Sequence, residues 1–451
     1  MNLIYGIGDK PKFKDLIVFS FQQLLAIIAA TIVVPIIVNA SGVQNLNLDP
    51  AAALFGAGVG TLVYVFFTKK KSPVFLGSSF AFLSSMASAT AFGYFGLIIG
   101  AIFAGLVYVV IAVIIKITSA EWINKLMPPV VIGPTVALIG LSLAGAAISD
   151  FTKASGNGQS YSLVAIAVAV VTLLVTVIVS VKSKGMGKLI PFIIGLLAGY
   201  VLATILTLIG NATGNEALKI MNFSALANNF APLTFSSFFR VPDFAFVNAF
   251  REISSGSVKL QFAEYINILA LYAPVALVVF AEHVADHKNI SSIIGTDLLK
   301  EPGLDKTLLG DGVGSMVGAF FGSCPNTTYG ESIACVAVTK NASVATIICT
   351  AVMAIVLSFF SPFVAFVNTI PSCCFGAMCV ILYGFIAVSG LKMIQQVNLG
   401  DDKNLFVVGT ILITGIGGLI LNFGVIQITG IATALILGIL VNKVLNIGSG
   451  R

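Results

Sequence analysis

Apolar residues run along this chain in long blocks, interrupted by charge or by Gly, Pro and Asn. The first block, Leu16 to Val38, is long enough to span a bilayer, since about 20 helical residues cross the hydrocarbon core. Reading every block this way predicts fourteen spans, at 15–38, 52–68, 74–90, 93–115, 128–148, 161–181, 189–209, 264–286, 308–323, 326–339, 343–366, 372–391, 404–421 and 427–446. Three of them, 74–90, 308–323 and 326–339, are too short or too polar for ordinary spanning helices. The segment at about 210–263 is the sizeable polar insertion and is expected to hold a short interfacial helix or hairpin. It is given no catalytic role.

Two of the unusual blocks resemble each other. The third span begins Pro73-Val74-Phe75-Leu76-Gly77-Ser78-Ser79-Phe80, and the tenth begins Pro325-Asn326-Thr327-Thr328-Tyr329. Each has Pro, then two hydroxyl residues, then an aromatic, and each is third in a set of seven spans. Seven is odd, so the second set must be inverted relative to the first. Short, Gly/Pro-interrupted segments at matching positions of two halves point to a transporter's midplane site.

Composition strengthens the membrane reading. The chain has 451 residues, 58% hydrophobic and 9% charged, whereas soluble domains carry roughly 25% charged residues. Met1 to Asp15 is polar and basic, so no cleavable signal peptide is expected. With the N-terminus inside, 19 of the 24 Lys and Arg fall in inner loops, including Lys69-Lys70-Lys71, Lys125 and Arg451. The other five are Lys153, Lys219, Arg240, Arg251 and Lys259. This asymmetry places both termini in the cytoplasm. The six Cys lie among apolar or small residues without a C-x-x-C pair and read as small buried hydrophobes.

Four carboxylates fall inside or at the edge of spans: Glu282, Asp286, Asp311 and Glu331. A charge at the bilayer centre costs at least about 2.5–3.5 kcal/mol, so such groups face protein or water and are functional candidates. The plain alternative is a buried acid bonded to nearby backbone. For Asp311, in "LLGDGVGS", it is a helix cap or an interfacial position. Glu282 and Asp286 are spaced i, i+4 and share a helix face. Two carboxylates this close in a poorly solvated site resist joint ionisation, so one can hold a proton near neutral pH. His283 points away from Glu282, and His287 is expected at the cytoplasmic edge, solvated. Gly77 to Phe82 and Thr327 to Gly330, which Glu331 follows, are poor helix material and are expected to be extended, which membrane depth tolerates only beside a cavity. Backbone N–H groups and carboxylates together suit a planar amide, on which Phe80 or Tyr329 can stack.

The runs "LGSSFAF", "VVFAEHVADH", "LLGDGVGS" and "CPNTTYGESIACVAVT" resemble the nucleobase-ascorbate transporter family, also called nucleobase:cation symporter-2, in its bacterial uracil permease branch. The resemblance covers about residues 10–445. It implies an all-α polytopic membrane protein of fourteen transmembrane segments in two inverted repeats of seven, with short antiparallel strands in segments three and ten. It divides the chain into core parts at 1–126 and 264–366, gate parts at 127–209 and 367–451, and the extracytoplasmic loop at 210–263. It implies that Glu282 and Glu331 bind the base, with the backbone at Phe80 and Gly330. Ala30 would contact the ring, and Tyr329 and Tyr383 would be aromatic neighbours. A homodimer and proton symport are the family expectation. One departure stands out: where the uracil branch carries a His this chain has Asp286, and many purine-branch members show an Asp there.

The sequence therefore predicts a multi-pass protein of the plasma (inner) membrane that imports uracil with protons. Glu282 and Glu331 would hold the base, and Asp286, coupled to Glu282, would handle the proton. The alternative is a xanthine/purine or mixed uracil/xanthine permease on the same fold. An anion exchanger fits the buried acids poorly. No ATP-binding motif, metal cluster or nucleophile–base pairing supports a pump or an enzyme. No cofactor and no nucleic acid partner is implied.

Overall fold

The computed structural model describes residues 3–44, 46–118, 128–156, 158, 160–184, 186–231, 233–423 and 426–447. Lys125, Arg451 and the expected domain boundary at 126/127 lie outside them. The protein is mostly helical, and among the described residues eight helices are long and apolar enough to cross a membrane. Shorter apolar helices at Gly330–Thr339, Val344–Ser358 and Gly430–Leu445 account for several further blocks of the hydropathy pattern.

Local chemistry starts these helices. Asp49 caps Pro50–Phe67 by accepting from the Ala51 N–H at 3.0 Å. Ser162 caps Leu163–Lys182 through the Ala165 N–H at 3.2 Å. Prolines open Pro129–Ser142 and Pro191–Thr213, where a missing N–H costs nothing. Gln261 and Glu264 form a capping box at the start of Phe262–Ile294.

Several elements differ from the hydropathy reading. Phe262–Ile294 runs past 286, so Asp286 and His287 lie well inside a helix. The expected span at 128–148 is two helices, Pro129–Ser142 and Ala144–Thr152, meeting at Leu143. The span at 343–366 also divides, and its second part, Ser361–Val367, has a proline in its first turn. In the thirteenth expected span the helix, Asp402–Ile416, stops early, and strand β3 (Leu421–Phe423) then pairs antiparallel with β4 (Ile426–Ile428). That hairpin takes residues from the ends of the last two expected spans. The long loop carries two short helices, Ser224–Phe230 and Ala245–Ser255.

Helix Leu304–Phe321 packs against Pro50–Phe67 and Gly93–Ile117. The first of these contacts is backbone on backbone: a Cβ on Gly56 would lie 2.4 Å from the Gly318 carbonyl oxygen, and one on Gly60 2.7 Å from that of Gly314. Small residues four apart permit such close crossings where lipid supplies no hydrophobic drive. Separately, Ser372–Ile394 packs against Pro129–Ser142 and Ala144–Thr152, and Leu163–Lys182 against Pro191–Thr213.

Candidate functional site

Two extended segments meet in the middle of the helices. Strand β1 (Leu76–Ser78) pairs antiparallel with β2 (Asn326–Thr328), with Gly77 opposite Thr327. Pro73 and Pro325 precede them and bias the chain away from helix. The Ser79 N–H donates to the Pro325 carbonyl at 2.9 Å, and the Tyr329 N–H to the Phe75 carbonyl at 3.1 Å. Side chains of neighbouring helices satisfy the outer edges. Thr61 Oγ1 accepts from the Leu76 N–H at 3.0 Å, and Ser315 Oγ accepts from the Asn326 N–H at 2.8 Å. Extended backbone at this depth survives because each such group finds a partner.

Helices begin where the strands end. Beyond β1 come a short 3₁₀ turn, Phe80–Phe82, and the helix Leu83–Ala89; beyond β2 comes Gly330–Thr339. The first N–H groups of a helix lack intrahelical partners, and its dipole is positive there. Phe80, Gly330 and Glu331 all stand at these starts and line a cavity of about 510 Å³. The volume lies within the roughly 300–1,000 Å³ usual for small-molecule sites.

The structure brings most of the expected residues to this cavity. Glu282, Asp286, Glu331, Phe80, Tyr329 and Gly330 all line it. Glu282 is exposed to the cavity, while Asp286 and Glu331 are half-buried. Thr328 Oγ1 donates to Asp286 Oδ2 at 2.6 Å. The Tyr329 hydroxyl donates to the Ser78 carbonyl at 2.9 Å, and its ring lies against Gly77. A Cβ there would be 2.3 Å from that ring. Tyr383 is buried beside the cavity, its ring centroid 6.0 Å from that of Phe80 in an edge-on arrangement.

Ala30 is placed differently. It is packed in a cluster with Phe75 and Tyr329, and the first helix reaches the cavity wall through Ala26, one turn earlier. A short side chain four residues away carries the same sequence signal, so only the packing separates the two. Lys188 also reaches the cavity wall, as do Ser389 and Met393 near the end of Ser372–Ile394.

Two expectations about neighbouring groups are corrected. His287 is fully buried, not at a solvated edge: its Nε2 lies 2.7 Å from the Tyr64 hydroxyl, and its Nδ1–H donates to the His283 carbonyl at 2.8 Å. Asp311 is neither a cap nor interfacial. It lies inside Leu304–Phe321, fully buried, with Oδ2 2.7 Å from His283 Nδ1. Nothing in the linear spacing joins His283 to Asp311 across two helices. Among the described residues no group of three or more His, Cys, Asp or Glu is placed to hold a metal ion.

Residues 14–424 match the Permease family (Xan_ur_permease). The chain is 36% identical to the uracil permease of Bacillus caldolyticus, over 98% of this chain and 94% of that protein. It is 35% identical to the uracil permease of Bacillus subtilis, again over 98% and 94%, and 32% identical to that of Escherichia coli K12, over 96% and 92%. Among solved structures, murine Slc26a9, an anion transporter captured in the inward-facing state, superposes with a TM-score of 0.64 at 9% identity, covering 98% of this chain and 70% of that one. The transmembrane domain of the cyanobacterial bicarbonate transporter BicA gives 0.60 at 13% identity, covering 97% and 99%. At such identities these two speak for the fold alone. The protein is thus a multi-pass membrane protein, and it belongs to the nucleobase-ascorbate transporter family, a family of permeases and not of enzymes.

Proposed function

We propose that this protein imports uracil together with protons by alternating access. The observation that carries the reading is the convergence of Glu282, Asp286 and Glu331 with Phe80 and Tyr329 on one cavity at the starts of two half-helices. Glu282 and Glu331 accept from ring N–H groups, the backbone N–H groups at Phe80 and Gly330 donate to ring carbonyls, and an aromatic face stacks on the ring. Ala30 and Tyr383 shape the wall from behind. Asp286, one turn from Glu282, takes or senses the proton. The relatives named uracil permeases support the choice of base.

The larger architecture belongs to the same proposal: fourteen spans in two inverted repeats, both termini cytoplasmic, in a plasma (inner) membrane as a homodimer. The matched strands β1 and β2 support the inversion, and the separate packing of the two helix sets supports core parts at 1–126 and 264–366 against gate parts at 127–209 and 367–451. The cavity reaches Lys188 and Met393 at helix ends that the charge asymmetry places inside, which corresponds to an inward-open state. Only a difference in affinity of the loaded carrier for its two states drives the exchange of access.

Two observations favour a second reading, a xanthine/purine or mixed permease. Asp286 stands where the uracil branch has His, and a cavity of about 510 Å³ has room for a purine. The deciding experiment is uptake of radiolabelled uracil into proteoliposomes, with and without an inward proton gradient, against excess xanthine. Gradient-driven uptake that xanthine fails to block supports the uracil reading. No uptake, or equal block by xanthine, replaces it with the purine one.

A further inference from the structure

Helix Phe262–Ile294 has two faces of different chemistry. Val278, Ala281, Glu282, Ala285 and Asp286 line the cavity, and their 3-1-3-1 spacing is one face of an α-helix. His283 and His287 lie on the opposite face, both fully buried, with ring centroids 4.1 Å apart. Each ring is held by a different neighbouring helix. His283 Nδ1 lies 2.7 Å from Asp311 Oδ2 and its Nε2 lies 3.1 Å from Thr307 Oγ1, both on Leu304–Phe321. His287 Nε2 lies 2.7 Å from the hydroxyl of Tyr64 on Pro50–Phe67, and that hydroxyl lies 2.7 Å from Ser72 Oγ. The His283 carbonyl can only accept, so His287 carries its proton on Nδ1 toward it. The remaining ring nitrogen faces the Tyr64 hydroxyl.

The helix has a reason to need such anchors. Pro274 lies inside it, two turns before Glu282. A proline removes one i→i−4 hydrogen bond and permits a kink, which loosens the rotational relation between the two ends. What fixes the rotation of the acidic end must then come from outside the helix.

We propose that His283 and His287 are positioning residues: through Asp311, Thr307 and Tyr64 they clamp the rotation of the helix so that Glu282 and Asp286 face the cavity. Neither is part of the cavity wall. The proposal rests on the reading of Glu282 as a ligand of the base for its consequence, but the clamp itself is read without a substrate. Buried polar groups held on both sides in this way define one arrangement, since any other leaves them unpaired.

Ala285 stands between the two acids on the cavity face and is exposed there. In a Cys335→Ala background, Ala285→Cys in purified protein is labelled with a membrane-impermeant maleimide, and uracil affinity is measured in parallel. His283→Leu and Asp311→Leu, recovered as folded protein by size exclusion, should label several-fold more slowly and bind uracil on the order of 10-fold more weakly. His283→Asn should keep the parental rate and affinity, because its amide nitrogen can occupy the place of Nδ1. Unchanged labelling in folded His283→Leu overturns the clamp. So does a His283→Asn variant as impaired as the Leu variant, since the ring's proton and not its anchorage would then be needed. Where the Leu variants do not fold, Tyr64→Phe removes only the hydroxyl at His287, and labelling equal to the parent overturns the proposal. Wild-type protein that binds no uracil, beside an Ala285→Cys series whose labelling follows the clamp, leaves the clamp standing and removes the uracil reading.

Discussion

Thr328 Oγ1 donates to Asp286 Oδ2 at 2.6 Å, so a strand of the crossing and the acidic face of Phe262–Ile294 are tied by one hydrogen bond. A bond to a charged group contributes about 1.5–3 kcal/mol. Thr328→Val keeps the shape and removes the donor. It should weaken nucleobase binding by about 10-fold or more, at 1.4 kcal/mol per decade, while Thr328→Ser should stay near wild type. Equilibrium binding on purified variants checks both.

The role of Asp286 itself is tested separately. Asp286→Asn can still accept from Thr328 but cannot ionise. The expected outcome is nucleobase binding that survives and uptake that no longer responds to an imposed proton gradient. Uptake in proteoliposomes with an unchanged pH dependence would remove Asp286 from the proton pathway.

Glu331 opens the helix Gly330–Thr339 and lines the cavity. Glu331→Gln retains size and one acceptor but gives up the charge-assisted bond. Loss of one such bond lowers affinity on the order of 10–100-fold, and Glu282→Gln should do the same. Binding of uracil by Glu331→Gln at wild-type affinity would sink the assignment of both acids.

Much of this site could be read from the chain because membrane depth makes polar residues costly. Glu282, Asp286 and Glu331 stand out among apolar neighbours, and Pro73 and Pro325 mark the two extended segments. What stayed hidden depends on three dimensions. The apolar run ends at Asp286 because charge follows it, yet the helix continues to Ile294 and buries His287 against Tyr64. The His283–Asp311 contact joins two helices, and no spacing rule links them. Ala26 and Ala30 are alike in sequence, and only the first reaches the cavity wall. The hairpin of β3 and β4 was masked by the apolar residues of two flanking helices.

The two glycines of the crossing should behave oppositely. A Cβ on Gly77 would lie 2.3 Å from the Tyr329 ring, which is itself held by the Ser78 carbonyl. Gly77→Ala must displace that ring and should cost about 1–3 kcal/mol as overpacking. Gly330 has nothing within 4 Å of its Cβ position and stands at the first turn of a helix. Gly330→Ala should therefore leave thermal stability unchanged or slightly raised, and any loss of binding would report a methyl group in the way of the base. Melting temperatures in detergent, measured beside affinity, separate the two effects.

The long loop at 210–263 offers a test of what fastens it. Asp49 is 5% exposed and its carboxylate accepts from three donors: Arg240 at 3.0 Å, the Asp243 N–H at 2.9 Å and the Ala51 N–H at 3.0 Å. It is at once the cap of Pro50–Phe67 and the anchor of the loop. Arg240 is 43% exposed, so water can replace much of what it loses. Arg240→Ala should cost no more than about 1 kcal/mol, because Asp49 keeps its two backbone donors. Asp49→Ala removes the cap, worth about 0.5–2 kcal/mol, and leaves the half-buried Asp243 N–H without its acceptor, which adds about 1 kcal/mol. The melting temperature should therefore fall further for Asp49→Ala than for Arg240→Ala, and the double variant should resemble Asp49→Ala alone. Equal effects of the two single variants would show that the ion pair, and not the carboxylate's backbone bonds, holds the loop to the helix.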